Sequence, residues 1–160
     1  MTAEERARAR AQLDLEEGRG PVPVLGTEAV VALLAGARRI AIVGASPDPF
    51  RPSNGVMAAL LRAGYDCVPV NPAVGEILGR RCHATLEEAV AEGGSFDIVD
   101  VFRRPEHVPP IAASAVATGC RSLWLQLGVI SWEGARIAHE GGLPVRSEEH
   151  TSELQSRFGI

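Results

Sequence analysis

The stretch VGASPDPFRPSNGV, residues 43–56, combines small, hydroxyl and basic residues that are suited to holding a phosphate group. It joins a short apolar run to a predicted helix start, where backbone N–H groups without helical partners favour an anion. Gly44 has no Cβ to block the close approach of a ligand. Ser46 and Ser53 offer hydroxyl donors, and Arg51 offers a guanidinium fork that matches phosphate geometry. These residue types predict a phosphate-binding loop.

Apolar runs and helical patterns alternate along the chain and predict the strands and helices on either side of this loop. Apolar runs typical of strands buried on both faces cover residues 39–43, 66–70, 96–102, 122–127 and a segment from 143. Helical patterns cover residues 27–36, 53–63, 86–91, 105–118 and 132–140, with Thr27 and Ser53 or Asn54 as expected N-caps. This order predicts an α/β fold with a doubly wound, mainly parallel, five-stranded Rossmann-like sheet in a three-layer α/β/α arrangement.

Ligands of doubly wound sheets bind outside the carboxyl ends of the strands, where the strand order reverses. We therefore expect the residues at four predicted strand ends to surround one crevice. Arg103, at the third strand end, is expected to reach the same anion as Arg51. The strand-end residues are Gly44, Ala45 and Ser46, then Val70, Asn71 and Pro72, then Phe102 and Arg103, and finally Gln126, Leu127 and Gly128.

The end of the second predicted strand indicates which nucleotide the crevice holds. A dinucleotide fold places Asp or Glu there to accept hydrogen bonds from the adenosine ribose. This chain has Asn71 and Pro72 instead, and no carboxylate follows until Glu76. The second and third glycines of the G-x-G-x-x-G motif are also missing after Gly44. Both features disfavour a nicotinamide dinucleotide.

Three motifs together, VGASPDPFRPSNGVMAALLRAGYDCVPVNP, IVDVFRRPEHV and LWLQLGVI, resemble the small stand-alone coenzyme A-binding proteins of bacteria. The Rossmann-type domain of that family is similar to the coenzyme-binding domain of succinyl-CoA synthetases. The resemblance covers roughly residues 25–145 and implies coenzyme A bound across the strand ends. It implies a phosphate-side loop of Gly44, Ala45, Ser46, Arg51 and Ser53, a corner of Val70, Asn71 and Pro72 near the adenosine or pantetheine, and further contacts from Phe102, Arg103 and Gln126.

Composition and the remaining polar residues restrict the function further. A net charge of −4 without a basic run excludes a general affinity for nucleic acid, and the longest apolar stretches are too short to cross a bilayer. The N-terminus lacks the apolar region of a secretory signal, and three isolated cysteines predict reduced thiols in a cytoplasmic protein. His83, His107 and His139 form no triad or metal-ligand spacing, whereas Asp100 could be buried and hydrogen-bonded.

Two hypotheses of different class follow from these residues. The first is a module that binds coenzyme A or an acyl-CoA without a catalytic centre of its own and acts with a protein partner. The alternative is an NAD(P)-binding oxidoreductase or redox sensor with a divergent glycine loop. A third, a piece of an acyl-CoA synthetase, would require a separate nucleotide-grasp domain.

The chain is expected to comprise an N-terminal extension over residues 1–24, the Rossmann-like domain over 25–145 and a tail over 146–160. The tail begins RSEEHTSELQS, which is polar and lacks strand character. This run resembles the in-frame translation of a short-read sequencing adapter. Family members instead continue their last strand into a Met-Asp-x-Cys-Pro segment. We therefore expect residues 146–160, including His150, to lie outside the native domain.

Overall fold

A computed structural model describes residues 2–16, 22–126, 129 and 131–147 of the chain. The helices are α1 (Ala3–Glu16), α2 (Thr27–Gly36), α3 (Pro52–Arg62), α4 (Leu86–Gly93), α5 (Val108–Ala117) and α6 (Trp132–Glu140). The strands are β1 (Arg39–Val43), β2 (Asp66–Val70), β3 (Glu76–Ile77), β4 (Arg80–Arg81), β5 (Ile98–Val101), β6 (Leu123–Leu125) and β7 (Val145–Ser147).

Five of the strands form one parallel sheet in the order β2-β1-β5-β6-β7. The strand after β1 in this sheet, β2, lies on one side of β1, and the next strand, β5, lies on the other side. The strand order therefore reverses between β1 and β5. The predicted α/β fold with a doubly wound parallel sheet is therefore confirmed. The carboxyl ends of β1 and β5 lie side by side at the position where such sheets bind ligands.

Two apolar clusters, one on each face of the sheet, make the three layers. In β1, Ile40 and Ile42 pack with α2 and α3 on one face, and Ala41 and Val43 pack with α4, α5 and α6 on the other. This explains why the strands are continuous apolar runs, since a parallel strand is covered on both faces. Pro69 is tolerated in β2 because β2 is an edge strand.

The structure corrects several predicted element boundaries. Helix α3 begins at Pro52 with Arg51 as its N-cap, so neither Ser53 nor Asn54 caps it. Helix α2 includes Thr27 and has Gly26 as its N-cap. In α3, Pro52 is well suited to the first position because proline lacks an N–H and has a fixed φ angle. As a result, the polar side chains of the first turn of α3 are free to bond to the preceding loop.

The last strand extends beyond the predicted end of the domain. Arg146 and Ser147 belong to β7, and for these two residues the prediction of a tail without strand character is wrong. Their backbone pairs with Trp124 and Leu125 of β6, and the Arg146 guanidinium donates a 2.7 Å hydrogen bond to the carbonyl of Leu25. Backbone pairing and this long-range contact compensate for the absence of an apolar run. The expected tail beyond residue 147 lies outside the described residues.

The described part of the chain contains no helix that is both long enough and apolar enough to cross a membrane. All three cysteines, Cys67, Cys82 and Cys120, are free thiols in buried positions. Burial is the main cause that raises the pKa of the Cys67 thiol to about 12, with smaller contributions from the carboxylates of Asp100 and Asp66 against the opposing charge of Arg80.

We predict that Cys67 resists thiol reagents at pH 8 until the protein unfolds, because the thiolate is the reactive species and burial suppresses it. The measurement is iodoacetamide labelling of the ligand-free protein with and without guanidinium chloride, followed by mass spectrometry of the peptide that contains Cys67. The unfolded sample serves as the control for intrinsic reactivity. Equal labelling rates of Cys67 in the folded and unfolded samples would contradict the prediction.

Candidate functional site

A cavity of about 560 Å³ lies at the carboxyl edge of the sheet, beside α3 and above β1, β2, β5 and β6. The structure brings all eleven candidate ligand-binding residues into its wall: Gly44, Ala45, Ser46, Arg51, Ser53, Val70, Asn71, Pro72, Phe102, Arg103 and Gln126. Leu127 and Gly128, which were also placed at this edge, lie outside the described residues. The wall includes three further residues, Pro52, Val56 and Val129, that sequence reasoning missed. Val56 could have been found from its helical spacing with Ser53, three residues earlier.

Gly44 allows the ends of β1 and β5 to approach each other. Its φ of +84° is strained for any residue with a side chain. A Cβ at Gly44 would lie 2.9 Å from Cδ of Arg103 and 3.1 Å from the carbonyl atoms of Phe102. The sequence predicts a glycine here for the close approach of a ligand, and the structure adds a second reason for it. The space beside Gly44 is filled by the neighbouring strand end, which carries Arg103 into the cavity wall.

Side-chain amides fix the loop that follows β1. Asn71 Nδ2 donates to the carbonyl of Ala45 at 2.8 Å, and Asn54 Nδ2 donates to the carbonyl of Ser46 at 3.0 Å. Asn71 Oδ1 also accepts from the Ala73 N–H at 2.8 Å, which closes the turn after β2. These bonds tie the loop to the end of β2 and to α3. The cavity wall is therefore preorganised, which lowers the entropy cost of binding.

The two serines of the loop hold backbone amides and keep a hydrogen to donate. Ser53 Oγ accepts from the Ser46 N–H at 3.1 Å, and Ser46 Oγ accepts from the Asp48 N–H at 3.1 Å. A hydroxyl that accepts one hydrogen bond can still donate its own hydrogen. Ser53 also contributes an N–H from the first turn of α3, which has no partner inside the helix. The serines and the helix start therefore offer donors to an anion.

The charges of the cavity wall have a single sign. Arg51 is exposed at the rim and Arg103 is half-buried between the ends of β1 and β5. None of the described wall residues is Asp or Glu, although acidic residues outnumber basic residues in the whole chain. The wall therefore attracts anions through two guanidinium groups, each of which can form paired hydrogen bonds to phosphate oxygens.

A buried polar pair supports the wall at the end of β6. Gln126 Nε2 donates to Oδ1 of Asp100 at 2.5 Å, and both residues are buried. The prediction that Asp100 is buried and hydrogen-bonded is confirmed. Because Oδ1 of Asp100 accepts this hydrogen bond, the amide of Gln126 has its nitrogen inward and its oxygen left for the cavity. Gln126 therefore presents an acceptor among the donors of the wall.

The three histidines that the structure describes lie away from this cavity. His83 Nε2 is 2.5 Å from Oε2 of Glu92, and neither residue belongs to the cavity wall. His107 and His139 are exposed on other elements. Within the described ranges, no group of three His, Cys, Asp or Glu side chains has an arrangement that could hold a metal ion. The chemistry of the described wall is therefore that of hydroxyl, amide and guanidinium groups.

Comparison with known proteins identifies the class to which this site belongs. The family model for the CoA binding domain matches residues 38–149. The uncharacterized protein YneT of Bacillus subtilis is 38% identical over 113 residues, which cover 71% of this chain and 82% of YneT. A hypothetical protein of Pyrococcus horikoshii is 32% identical, with a TM-score of 0.76 over 85% of this chain and 94% of that structure.

A more distant structure shows the same fold within a larger protein. An acetyl-coenzyme A synthetase of Candidatus Korarchaeum cryptofilum gives a TM-score of 0.56 at 22% identity, over 67% of this chain and 25% of the synthetase chain. At this identity the likeness concerns the fold alone. The family match and the relatives establish more, and the chain belongs to the CoA-binding domain family. The resemblance recognised in the three sequence motifs is confirmed.

We predict that Gly44→Ala lowers the free energy of unfolding by about 2–4 kcal/mol, because the left-handed conformation and the contact with Phe102 both penalise a Cβ. Gly55→Ala is the matched control, since Gly55 lies inside α3 with no atom near the position of a Cβ. Helix propensity predicts that this control gains about 0.5–1 kcal/mol. Urea denaturation measures both, and equal stabilities of the two variants would disprove the role of Gly44.

Proposed function

We propose that the chain binds coenzyme A or an acyl-CoA in the cavity at the carboxyl edge of the sheet. The observation that carries this proposal is a preorganised wall with Arg51, Arg103 and the start of α3, and with no carboxylate among its described residues. The phosphates would bind between Arg51 and the first turn of α3. The rest of the ligand would extend along the ends of β1, β5 and β6.

The chemistry at the end of β2 supports coenzyme A rather than a nicotinamide dinucleotide. Asn71 occupies the position where dinucleotide folds place a carboxylate for the ribose hydroxyls. Its amide nitrogen donates to Ala45 and its amide oxygen accepts from Ala73, so the side chain is fixed in place. Asparagine is neutral, so the end of β2 carries no charge here. Coenzyme A carries a phosphate on its ribose, and a carboxylate at this corner would repel that phosphate. A neutral, fixed side chain suits it better.

The other end of the cavity suits the pantetheine arm, which alternates hydrocarbon with amide groups. Val56 and Phe102 offer apolar contacts, and the amide oxygen of Gln126 offers an acceptor for a pantetheine N–H. The volume of about 560 Å³ lies within the usual range for small-molecule sites, about 300–1,000 Å³. Both the size and the polarity of the wall support a ligand of this type.

We further propose that the domain acts as a binding module without a catalytic centre. Nucleophilic catalysis by Ser46 or Ser53 would need a general base beside the serine, and the described wall contains no His, Asp or Glu. Such a module would present or withhold coenzyme A for a partner protein. No contact among the described cavity residues favours NAD(P). The binding experiment below tests the NAD(P) alternative by competition.

Isothermal titration calorimetry with coenzyme A tests the proposal. We predict that Arg51→Ala weakens binding about tenfold, because an exposed charge-assisted contact to phosphate contributes roughly 1–2 kcal/mol. Arg104→Ala is the matched control, since Arg104 is an exposed arginine next to Arg103 but outside the cavity wall. This control is expected to keep the wild-type affinity within about twofold.

Competition with NADH separates the two ligand classes. NADH should not displace coenzyme A, and 0.5 M salt should weaken coenzyme A binding because both arginines act through charge. Absence of heat with folded wild-type protein at millimolar coenzyme A would overturn the proposal. Displacement of coenzyme A by NADH at lower concentration would favour the dinucleotide alternative.

A further inference from the structure

The backbone of His83 holds the outer edge of β2 at the carboxyl end of the strand. The His83 N–H donates to the carbonyl of Pro69 at 3.1 Å, and the His83 carbonyl accepts from the Asn71 N–H at 2.9 Å. These two bonds lie on either side of Val70, which pairs with His83 in a parallel bridge. Because β2 is an edge strand, this bridge covers backbone groups that the main sheet leaves open on that side.

The strand end that His83 holds carries part of the ligand site. Val70 and Asn71 belong to the cavity wall. The carbonyl of Val70 accepts from the Gly44 N–H at 3.1 Å, and Asn71 Nδ2 donates to the carbonyl of Ala45 at 2.8 Å. A displacement of the end of β2 would therefore be passed on to the loop after β1. His83 lies outside the wall but is two hydrogen bonds away from it.

The backbone of His83 needs an anchor because the hairpin before it is short. Strands β3 and β4 have two residues each, and a two-stranded hairpin alone is only marginally stable. Cys82 packs in the apolar cluster on the face of the sheet that α2 and α3 cover. The His83 side chain instead reaches α4 on the other face, where its Nε2 lies 2.5 Å from Oε2 of Glu92. The segment is therefore fixed on both faces.

The hydrogen bond between His83 and Glu92 has a defined donor and acceptor. The hydrogen bond from His83 is the largest cause that lowers the pKa of the Glu92 carboxyl, so Glu92 is ionised at neutral pH. An ionised carboxylate only accepts hydrogen bonds, which makes the Nε2–H of His83 the donor. The His83 side chain is only 10% exposed, and its buried Nδ1 has no hydrogen-bond partner among the described residues. The bond from Nε2 therefore ties the ring to α4.

We propose that His83 is a positioning residue of the ligand site, which holds the end of β2 and the loop after β1 in the arrangement that binds coenzyme A. The inference rests on the proposed binding of coenzyme A in the cavity. Glu92 provides the fixed point on α4, and Asn71 transmits the position of His83 to Ala45. Without this anchor, only a fraction of the molecules would have the wall in place, and the affinity would fall by that fraction.

Two substitutions of His83 separate the anchor from the rest of the side chain. The amide nitrogen of Gln lies about as far from the backbone as Nε2 of His and can donate to Glu92, whereas the amide of Asn is one carbon shorter. In calorimetric titration, His83→Asn should weaken coenzyme A binding about fivefold, and His83→Gln should stay within about twofold of the wild type. Glu92→Ala should match His83→Asn, and the double variant should be no weaker than either.

Arg81→Ala is the matched control. Arg81 is the other partner of Glu92, at 3.0 Å, and its removal leaves the bond between His83 and α4 intact. Because the Arg81 pair is exposed, this variant should keep the wild-type affinity within about twofold. Hydrogen exchange of the Asn71 N–H, followed by NMR without ligand, reports the bond to His83 directly. Exchange should be about tenfold faster in His83→Asn and unchanged in Arg81→Ala.

The outcomes separate this inference from the proposed function. If coenzyme A does not bind the wild-type protein, the proposed function fails and the positioning role fails with it. If coenzyme A binds the wild type and the folded His83→Asn variant equally, only the positioning role is overturned, even if His83→Asn lowers the free energy of unfolding. Unchanged exchange of the Asn71 N–H, or equal weakening by Arg81→Ala, would also overturn it. Should His83→Asn fail to fold, Glu92→Ala provides the same test.

Discussion

The close approach of Gly44 to Phe102 and Arg103 is the contact on which the geometry of the site depends. It occurs where the strand order reverses, between β1 and β5, and a side chain at Gly44 would force these strand ends apart. Because the two ends meet, Arg103 is held in the wall of the cavity beside α3. One glycine at the switch point therefore brings a cation to the position at which an α/β sheet binds its ligand.

The site gains its rigidity from buried and half-buried polar side chains that form hydrogen bonds at the strand ends. Asn71 and Asn54 hold the loop after β1, and the pair of Asp100 and Gln126 supports the end of β6. A buried polar group is costly when it lacks a partner, so such groups favour one arrangement of the chain. A ligand that enters this cavity meets donors already in place. Binding energy is then not spent on ordering the loop.

Sequence patterns predicted the helices and strands that have a clear apolar run or periodicity. The bounds of β1, β2 and α6 agree with the apolar runs and periodicity, and the eleven candidate residues share one cavity because parallel strand ends meet at one edge. The hairpin of β3 and β4 was missed, since two-residue strands carry no periodicity and its turn places Leu78 at a φ of +51°. The hydrogen bond from Asn71 to Ala45 joins residues 26 positions apart. Local sequence patterns could not predict it, because only the folded sheet brings the two residues together.

We propose that coenzyme A lies across the carboxyl ends of the strands at the β1 and β5 switch point. Amide chemical-shift mapping by NMR, during titration of the isotope-labelled protein with coenzyme A, would locate the ligand on the protein. We predict that the largest shifts fall on Gly44, Ser46, Ser53 and Arg103, while Arg39 at the opposite end of β1 is unaffected. Saturable shifts centred on the amino ends of the strands, or no shifts at saturating ligand, would contradict it.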